Sequence, residues 1–290
     1  MFDKNQPGYL YPLCKQPLIV HPKVAAFGDD AVSFILTQSF YKYTHDIALI
    51  ETRFINQTIL DVITGAIDLP FSEEQKINLY TVMVDEAYHA YVAYDAMQQI
   101  QNSLQIKPLK LPMQIEIEVA TNHILQHLPE RMHSLFKLIA VCIAENTLSQ
   151  EIRWLLGDKA THPFFQQMLR EHLLDEGRHS NIFIQLLSFI WSQLNETDRM
   201  SCFKLLPRFI SQYLSTSIQQ QFERQVLLSL SLDSEEIVQI LSDIYGHFRL
   251  TFHHPMLQHI LSAFKKAGIF QDHMTESCFA GYFYQMTETH

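Results

Sequence analysis

Apolar residues recur along most of this chain at intervals of three and four positions, the spacing of a helix that buries one face. No stretch of useful length alternates apolar and polar residues as a half-buried strand does. The pattern therefore predicts an all-α protein. The expected helices span about 30–64, 73–103, 113–127, 129–156, 163–194, 199–230, 234–248 and 255–267.

Turn signals separate these helices and fix their order. Ser72, followed three residues later by Gln75, predicts a capping box at the start of the second long helix. The prolines of IKPLKLP at 106–112 interrupt the pattern, and Pro163 suits the first turn of a later helix. Two helices, a crossover of roughly 25 residues and two more helices give the topology of a ferritin-like four-helix bundle with a long crossover. Additional C-terminal helices follow this bundle.

The chain is long enough for one large core, with 290 residues of which 47% are hydrophobic. We predict a single helical domain over 1–290, with the bundle core at about 30–195 and the additional helices of about 199–290 packed on it. The formal net charge is −10 and no run of Lys and Arg appears, so we expect no nucleic-acid partner.

Four cysteines at 14, 142, 202 and 278 lie far apart, and none forms the C-x-x-C pair of a zinc ribbon or a redox dithiol. The amino terminus has no basic segment followed by an apolar run, so we predict no signal peptide. No uncharged apolar stretch approaches the roughly 18 residues of a membrane span. These features predict a cytoplasmic protein without a membrane partner.

Two long helices carry the same Glu-x-x-His frame in their middle turns. Glu86 and His89 lie in VDEAYHAYV, and Glu176 and His179 lie in EHLLDEGRHSNIF. Residues three apart share a helix face, so each pair can present two ligands together. The frame alone is weak evidence, and a third match at 130–133 directly follows a proline, where the helix dipole accounts for an acid.

Two further glutamates are embedded in apolar runs on the other two bundle helices. Glu51 and Glu86 are equidistant from the turn at 67–72, and Glu145 and Glu176 are equidistant from the turn at 157–163. Residues equidistant from the turn of a helical hairpin face each other, so we expect all four carboxylates in one core. Four buried carboxylates require a counter-charge. Two divalent cations provide it, and oxygen and imidazole donors suit iron or manganese.

His172 lies one turn before Glu176 on the same helix face. At that position it can be a seventh ligand, or it can be a core histidine bonded to a carbonyl group. The spacing leaves both interpretations open.

Together, Glu51, the DEAYH segment, Glu145 and the HLLDEGRH segment resemble the p-aminobenzoate N-oxygenase family of non-haem diiron oxygenases, within the ferritin-like superfamily. The resemblance covers about 30–195. In that family a third histidine precedes the second Glu-x-x-His by four residues and adds a nitrogen ligand, and His172 matches it. The resemblance implies a metal-ligand set of Glu51, Glu86, His89, Glu145, His172, Glu176 and His179.

The resemblance also implies an activity. The expected protein is an O2-dependent monooxygenase with two Fe ions, or Mn in their place, that oxidises a small aryl or aliphatic amine to a hydroxylamine, nitroso or nitro product. An external reductase or ferredoxin would supply electrons, and a homodimer is one assembly to test. The alternatives are a diiron hydroxylase or desaturase acting on carbon, and a ferroxidase or iron-binding ferritin-like protein.

Several residues near the predicted ligands could support the site or have structural roles. Asp85 and Asp175 point about 100° away from the adjacent glutamates, so they can hydrogen-bond a metal-bound imidazole on another helix or can simply be solvated. Arg178 can pair with one of these acids. We also expect a surface position for Glu151. Cys142 can face the site, but a core position is the commoner role. Tyr88, Tyr91 and Tyr94 can line the substrate cavity or pack, and we expect packing for at least two of them.

Overall fold

The computed structural model describes residues 1–270, 276–277 and 279–283. Within this part of the chain the secondary structure is helical, and a single isolated bridge joins Tyr9 to Thr161. The prediction of an all-α protein is confirmed. The α-helices are α1 (Pro22–Ala25), α2 (Asp29–Leu49), α3 (Gln57–Ile63), α4 (Glu73–Leu104), α5 (Glu116–Leu125), α6 (His133–Leu155), α7 (Pro163–Gln193), α8 (Glu196–Tyr213), α9 (Ser217–Ser229), α10 (Ser234–Tyr245) and α11 (Pro255–Lys266).

Four long elements form the bundle. The first consists of α2, a π-helical segment at Ile50–Asn56 and α3, and it packs against α4. Helices α6 and α7 form the second hairpin, and α4 contacts α7 across the bundle. The core between them is apolar and fully buried, as at Phe40, Phe136 and Phe183. This is the predicted ferritin-like arrangement.

The first bundle helix differs from the continuous helix expected over 30–64. The π-helical segment widens it for seven residues, and this segment carries Glu51. Thr52 donates a hydrogen bond to the carbonyl of Ala48, which helps hold this part of the helix. Single π-helical turns within α-helices are rare and occur frequently at functional sites. The local distortion therefore marks Glu51 as a position of interest.

The connections agree with the turn signals in most places. Ser72 and Gln75 form the predicted capping box of α4. The crossover at 105–132 contains α5, which packs on α8. The helix predicted over 199–230 is divided at 214–216 into α8 and α9.

The amino-terminal segment was not predicted to be structured, yet it contains two 3-10 turns and α1. Leu18 and Val24 of this segment pack with Ile35 of α2, Phe222 of α9 and Ile237 of α10 in a second apolar cluster. Cys278, one of the four cysteines considered above, lies outside the described residues. Among the residues described, no helix combines the length and apolarity that crossing a membrane requires.

Candidate metal centre

All seven predicted ligands converge inside the bundle. The π-helical segment supplies Glu51, α4 supplies Glu86 and His89, and α6 supplies Glu145. Three residues of α7 complete the set, namely His172, Glu176 and His179. The four carboxylates are fully buried, and the three imidazoles are at most 6% exposed. So many ionisable groups in one core would be strongly unfavourable without a counter-charge.

The ligand atoms form two overlapping groups, each with its atoms within 4.8 Å of one another. One group contains Glu51, Glu86, His89 and His172, and the other contains Glu86, Glu145, Glu176 and His179. Glu86 belongs to both groups. Glu176 also reaches the first, because its Oε1 lies 3.0 Å from His172 Nε2. Two adjacent cation positions that share carboxylates are the arrangement of a dinuclear carboxylate site.

The unsatisfied polar atoms of the cluster fit two metal ions. Among the described residues, seven buried atoms of these side chains have no hydrogen-bond partner: both carboxylate oxygens of Glu51 and of Glu145, Oε1 of Glu86, Oε2 of Glu176 and Nδ1 of His179. His179 Nδ1 lies only 2.8 Å from Glu86 Oε1. An unsatisfied buried polar atom destabilises a protein by about 1–3 kcal/mol, so such a concentration indicates groups shaped to hold a cation.

The electrostatics of the cluster also favour a site for cations. Burial, reinforced by neighbouring carboxylates, raises the pKa of Glu51 and of Glu145 well above the ordinary range. Burial opposes ionisation of Glu176 too, but the imidazoles of His172 and His179 outweigh it and lower its pKa to about 2. Burial disfavours charge on His179, yet two close carboxylates raise its pKa to about 11. These shifts favour protons on Glu51, Glu145 and His179 when no cation is bound.

Two imidazoles are oriented from outside the cluster. His89 Nδ1 lies 3.2 Å from Glu86 Oε2, and its Nε2 lies 3.2 Å from Asp175 Oδ2. His179 Nε2 lies 3.2 Å from Asp85 Oδ2, and Arg178 donates to the same carboxylate. When Nε2–H donates to an aspartate, the Nδ1 lone pair is directed at the cluster. Asp85 and Asp175 thus lie within hydrogen-bond distance of the two imidazoles, on the side away from the cluster.

The sequence profile described as P-aminobenzoate N-oxygenase AurF matches residues 2–241. The chain belongs to the p-aminobenzoate N-oxygenase family. Among curated proteins, it is similar to the 4-aminobenzoate N-oxygenase of Streptomyces thioluteus, with 22% identity over 251 residues, which cover 83% of this chain and 71% of that protein. Members of the p-aminobenzoate N-oxygenase family have a ferritin-like fold and are diiron enzymes. The chain is therefore an oxidoreductase of the monooxygenase type.

The aspartates behind the imidazoles should affect metal binding in this N-oxygenase. Partners that orient a ligating histidine typically contribute 10–100-fold to metal affinity. We expect Asp175→Asn and Asp85→Asn each to weaken binding of one Mn(II) by about that factor, because the amide keeps the shape but loses the charge. Calorimetric titration of the full chain measures the effect. Asp95→Asn, on the same helix as Asp85, is the matched control, and equal affinities in all three variants would contradict the prediction.

The third Glu-x-x-His pair and Cys142 both lie where structural roles were expected. Glu130 is exposed in the 3-10 turn that precedes α6, and His133 Nε2 bonds to the carbonyl of Leu128, so this third Glu-x-x-His pair lies outside the cluster. Cys142 is fully buried in the core of α6. Both positions agree with the structural roles expected for them.

Two expectations were wrong. Tyr88, Tyr91 and Tyr94 do not pack in the core, because they are 59%, 62% and 61% exposed on the outer face of α4. Their spacing of three residues follows one face of the helix, and that face is turned outward. Glu151 is not a surface residue, because it is half-buried and lines a cavity of about 560 Å³.

The sequence did not predict that cavity, whose wall includes residues close along the chain to two of the metal-ligand positions. Ile47 and Ile50, next to Glu51 along the chain, form part of its wall, and so do Thr147 and Leu148, which follow Glu145. Its polar lining was also missed, including Lys42 and Asp46 of α2, Glu116 of α5 and Glu223 of α9. A signal was present in α2, where Lys42 and Asp46, four residues apart, interrupt a stretch that otherwise contains no acidic residue, lysine or arginine.

Proposed function

We propose that this protein is an O2-dependent diiron N-oxygenase that oxidises the amino group of an amine. The observation that carries the proposal is the buried cluster of four glutamates and three histidines, with its unsatisfied oxygen and nitrogen atoms, in a chain of the p-aminobenzoate N-oxygenase family. The proposed ligands are those seven residues, namely Glu51, Glu86, His89, Glu145, His172, Glu176 and His179.

A pair of iron ions would supply the activation of O2 that no side chain can provide. The protein's own groups do the rest. The four carboxylates balance the charge of two divalent cations, and the imidazoles add neutral donors whose direction Asp85 and Asp175 fix. Bundle side chains exclude water from the cluster, and the adjacent cavity gives room for a substrate.

The reaction balances with one external reductant. One oxygen atom of O2 enters the N–H bond of the amine to give a hydroxylamine, and the other leaves as water. Two electrons and two protons are consumed, and we propose that a reductase or ferredoxin supplies the electrons. Further rounds would give the nitroso and nitro products. Among the diiron chemistries, the 4-aminobenzoate N-oxygenase activity named for the Streptomyces thioluteus relative favours oxidation at nitrogen over carbon.

The test is oxygenation by the full chain loaded anaerobically with Fe(II) and then supplied with reductant, 18O2 and a panel of aryl and alkyl amines. We expect mass spectrometry to find a product that contains one 18O bound to nitrogen. Label in a C–OH group would indicate a hydroxylase instead. Oxidation of Fe(II) without any oxidised amine would indicate a ferroxidase.

A further inference from the structure

The cavity of about 560 Å³ that Glu151 lines contains more acids than bases. Its lining includes four carboxylates, those of Asp46, Glu116, Glu151 and Glu223, and two ammonium groups, those of Lys15 and Lys42. When all of these ionise, two negative charges are in excess. We call this space the acid-lined cavity.

The two lysines are already engaged. Lys42 forms an ion pair with Asp46 one turn along α2, and both side chains are largely buried. Lys15 lies over the ring of Trp154, with its Nζ 4.5 Å from the ring centroid. Lys42 is thus paired with a carboxylate, whereas Lys15 contacts an aromatic ring.

Two of the acids lack a cationic partner. Glu116 and Glu151 form no ion pair with any of the residues that the structure describes. Glu223, at 1% exposure, accepts hydrogen bonds from Gln219 and Tyr245, which are neutral. Burial, with Asp46 and Glu116 nearby, raises the pKa of Glu151 to about 6, although the charges of Lys15 and Lys42 oppose the rise.

The rest of the lining suits an organic cation. Tyr11, Tyr43, Trp154, Tyr213 and Phe248 contribute aromatic side chains to the cavity wall. Aromatic faces attract ammonium groups and also pack against an aryl ring. Burial raises the pKa of Tyr43, in the same wall, well above its ordinary value, and the charges of Glu151, Tyr11, Glu51 and Glu176 reinforce the shift.

We propose that the acid-lined cavity selects an amine that carries a second, cationic amino group, and that it disfavours aminobenzoate. This inference rests on the proposed N-oxygenase function. The amino group that is oxidised must be neutral, because its lone pair reacts, whereas the second one is held as ammonium by Glu151 and Glu116. The carboxylate of an aminobenzoate would instead add a fifth acid to a cavity in which carboxylates already outnumber ammonium groups by two.

Three anilines with a cationic, a neutral and an anionic para substituent test this selection. They are 4-aminobenzylamine, a cation, 4-methylaniline, which is neutral, and 4-aminobenzoate, an anion. We expect calorimetry on the full chain loaded with Mn(II) to show that the cation binds at least tenfold more tightly than the anion. Equal affinity, or tighter binding of 4-aminobenzoate, would overturn the inference.

Variants identify the groups responsible. Glu151→Gln and Glu116→Gln should each reduce the affinity for 4-aminobenzylamine about tenfold and leave that for 4-methylaniline nearly unchanged. Glu74→Gln, at an exposed position of α4, is the matched control and should change neither. If neither cavity variant alters the preference for the cation, the acids do not select the substrate and the inference falls.

The same probes separate this inference from the proposed function. When the iron-loaded chain receives reductant and O2, oxidation of 4-aminobenzoate in preference to 4-aminobenzylamine would overturn the selection and leave N-oxygenation standing. Selective binding of 4-aminobenzylamine without oxidation of any amine would support the selection and contradict N-oxygenation.

Discussion

Replacing Glu86 with glutamine should abolish the binding of both metal ions, the largest loss expected from any single substitution in this chain. Glu86 is the residue common to both groups of ligand atoms, whereas Glu51 and Glu145 each belong to one. The amide has nearly the same shape as the carboxylate, so the bundle should still fold. It lacks the negative charge that a divalent cation requires, and both cation positions should lose affinity together.

Glu86→Gln should have opposite effects on the free energy of unfolding without and with metal. Without metal, Glu86→Gln removes one of four carboxylates buried at 0% exposure, so the variant should be at least as stable as the wild type. With Mn(II) at 100 times the dissociation constant, each occupied site should stabilise the wild type by about 2.7 kcal/mol, and the variant should gain nothing. Urea unfolding with and without Mn(II), together with metal analysis, measures both effects.

The control is the double variant Glu130→Ala, His133→Ala, which removes the Glu-x-x-His pair that lies outside the cluster. It should keep two metals per chain and lose only about 0.5–1 kcal/mol through the missing interaction with the helix dipole. Loss of metal in this control, or two bound metals in Glu86→Gln, would show that the metal centre lies elsewhere.

The bundle and the cluster were predictable because both depend on helix periodicity. A spacing of three residues places Glu86 and His89 on one face, and equal distance from a turn places Glu51 opposite Glu86. These relations hold for any regular antiparallel hairpin. They tolerate even the π-helical segment at Ile50–Asn56, because Glu51 lies at the start of that segment, where the register of α2 still applies.

The remaining features depend on contacts between segments that are distant along the chain. The acid-lined cavity forms where α2, α5, α6 and α9 meet, and Glu151 faces it because those elements surround its position. Nothing in the local SQEIRW pattern distinguishes a solvated face from a face on an internal cavity. The tyrosines of α4 are the opposite example. Their spacing is that of residues on a buried helix face, yet this face of α4 is exposed.

Replacing His172 should affect one metal position and leave the other intact. Its Nε2 lies 3.2 Å from Glu51 Oε1 and 3.0 Å from Glu176 Oε1, in the group that lacks Glu145. His172→Ala should bind two metals, one of them more weakly, because water can replace a neutral nitrogen donor. His172→Phe should bind only one, because an apolar ring of comparable size fills the position without offering a donor.

Metal analysis of the full-length variants after desalting, combined with Mn(II) titration, distinguishes these outcomes. The matched control is His133→Phe, which should retain two metals, because His133 Nε2 bonds to the carbonyl of Leu128 outside the cluster. If His172→Phe also retains two metals with wild-type affinity, His172 is a core histidine and not a ligand. The centre would then have six ligands. The short distances from His172 to Glu51 and Glu176 would reflect packing of the metal-free cluster alone.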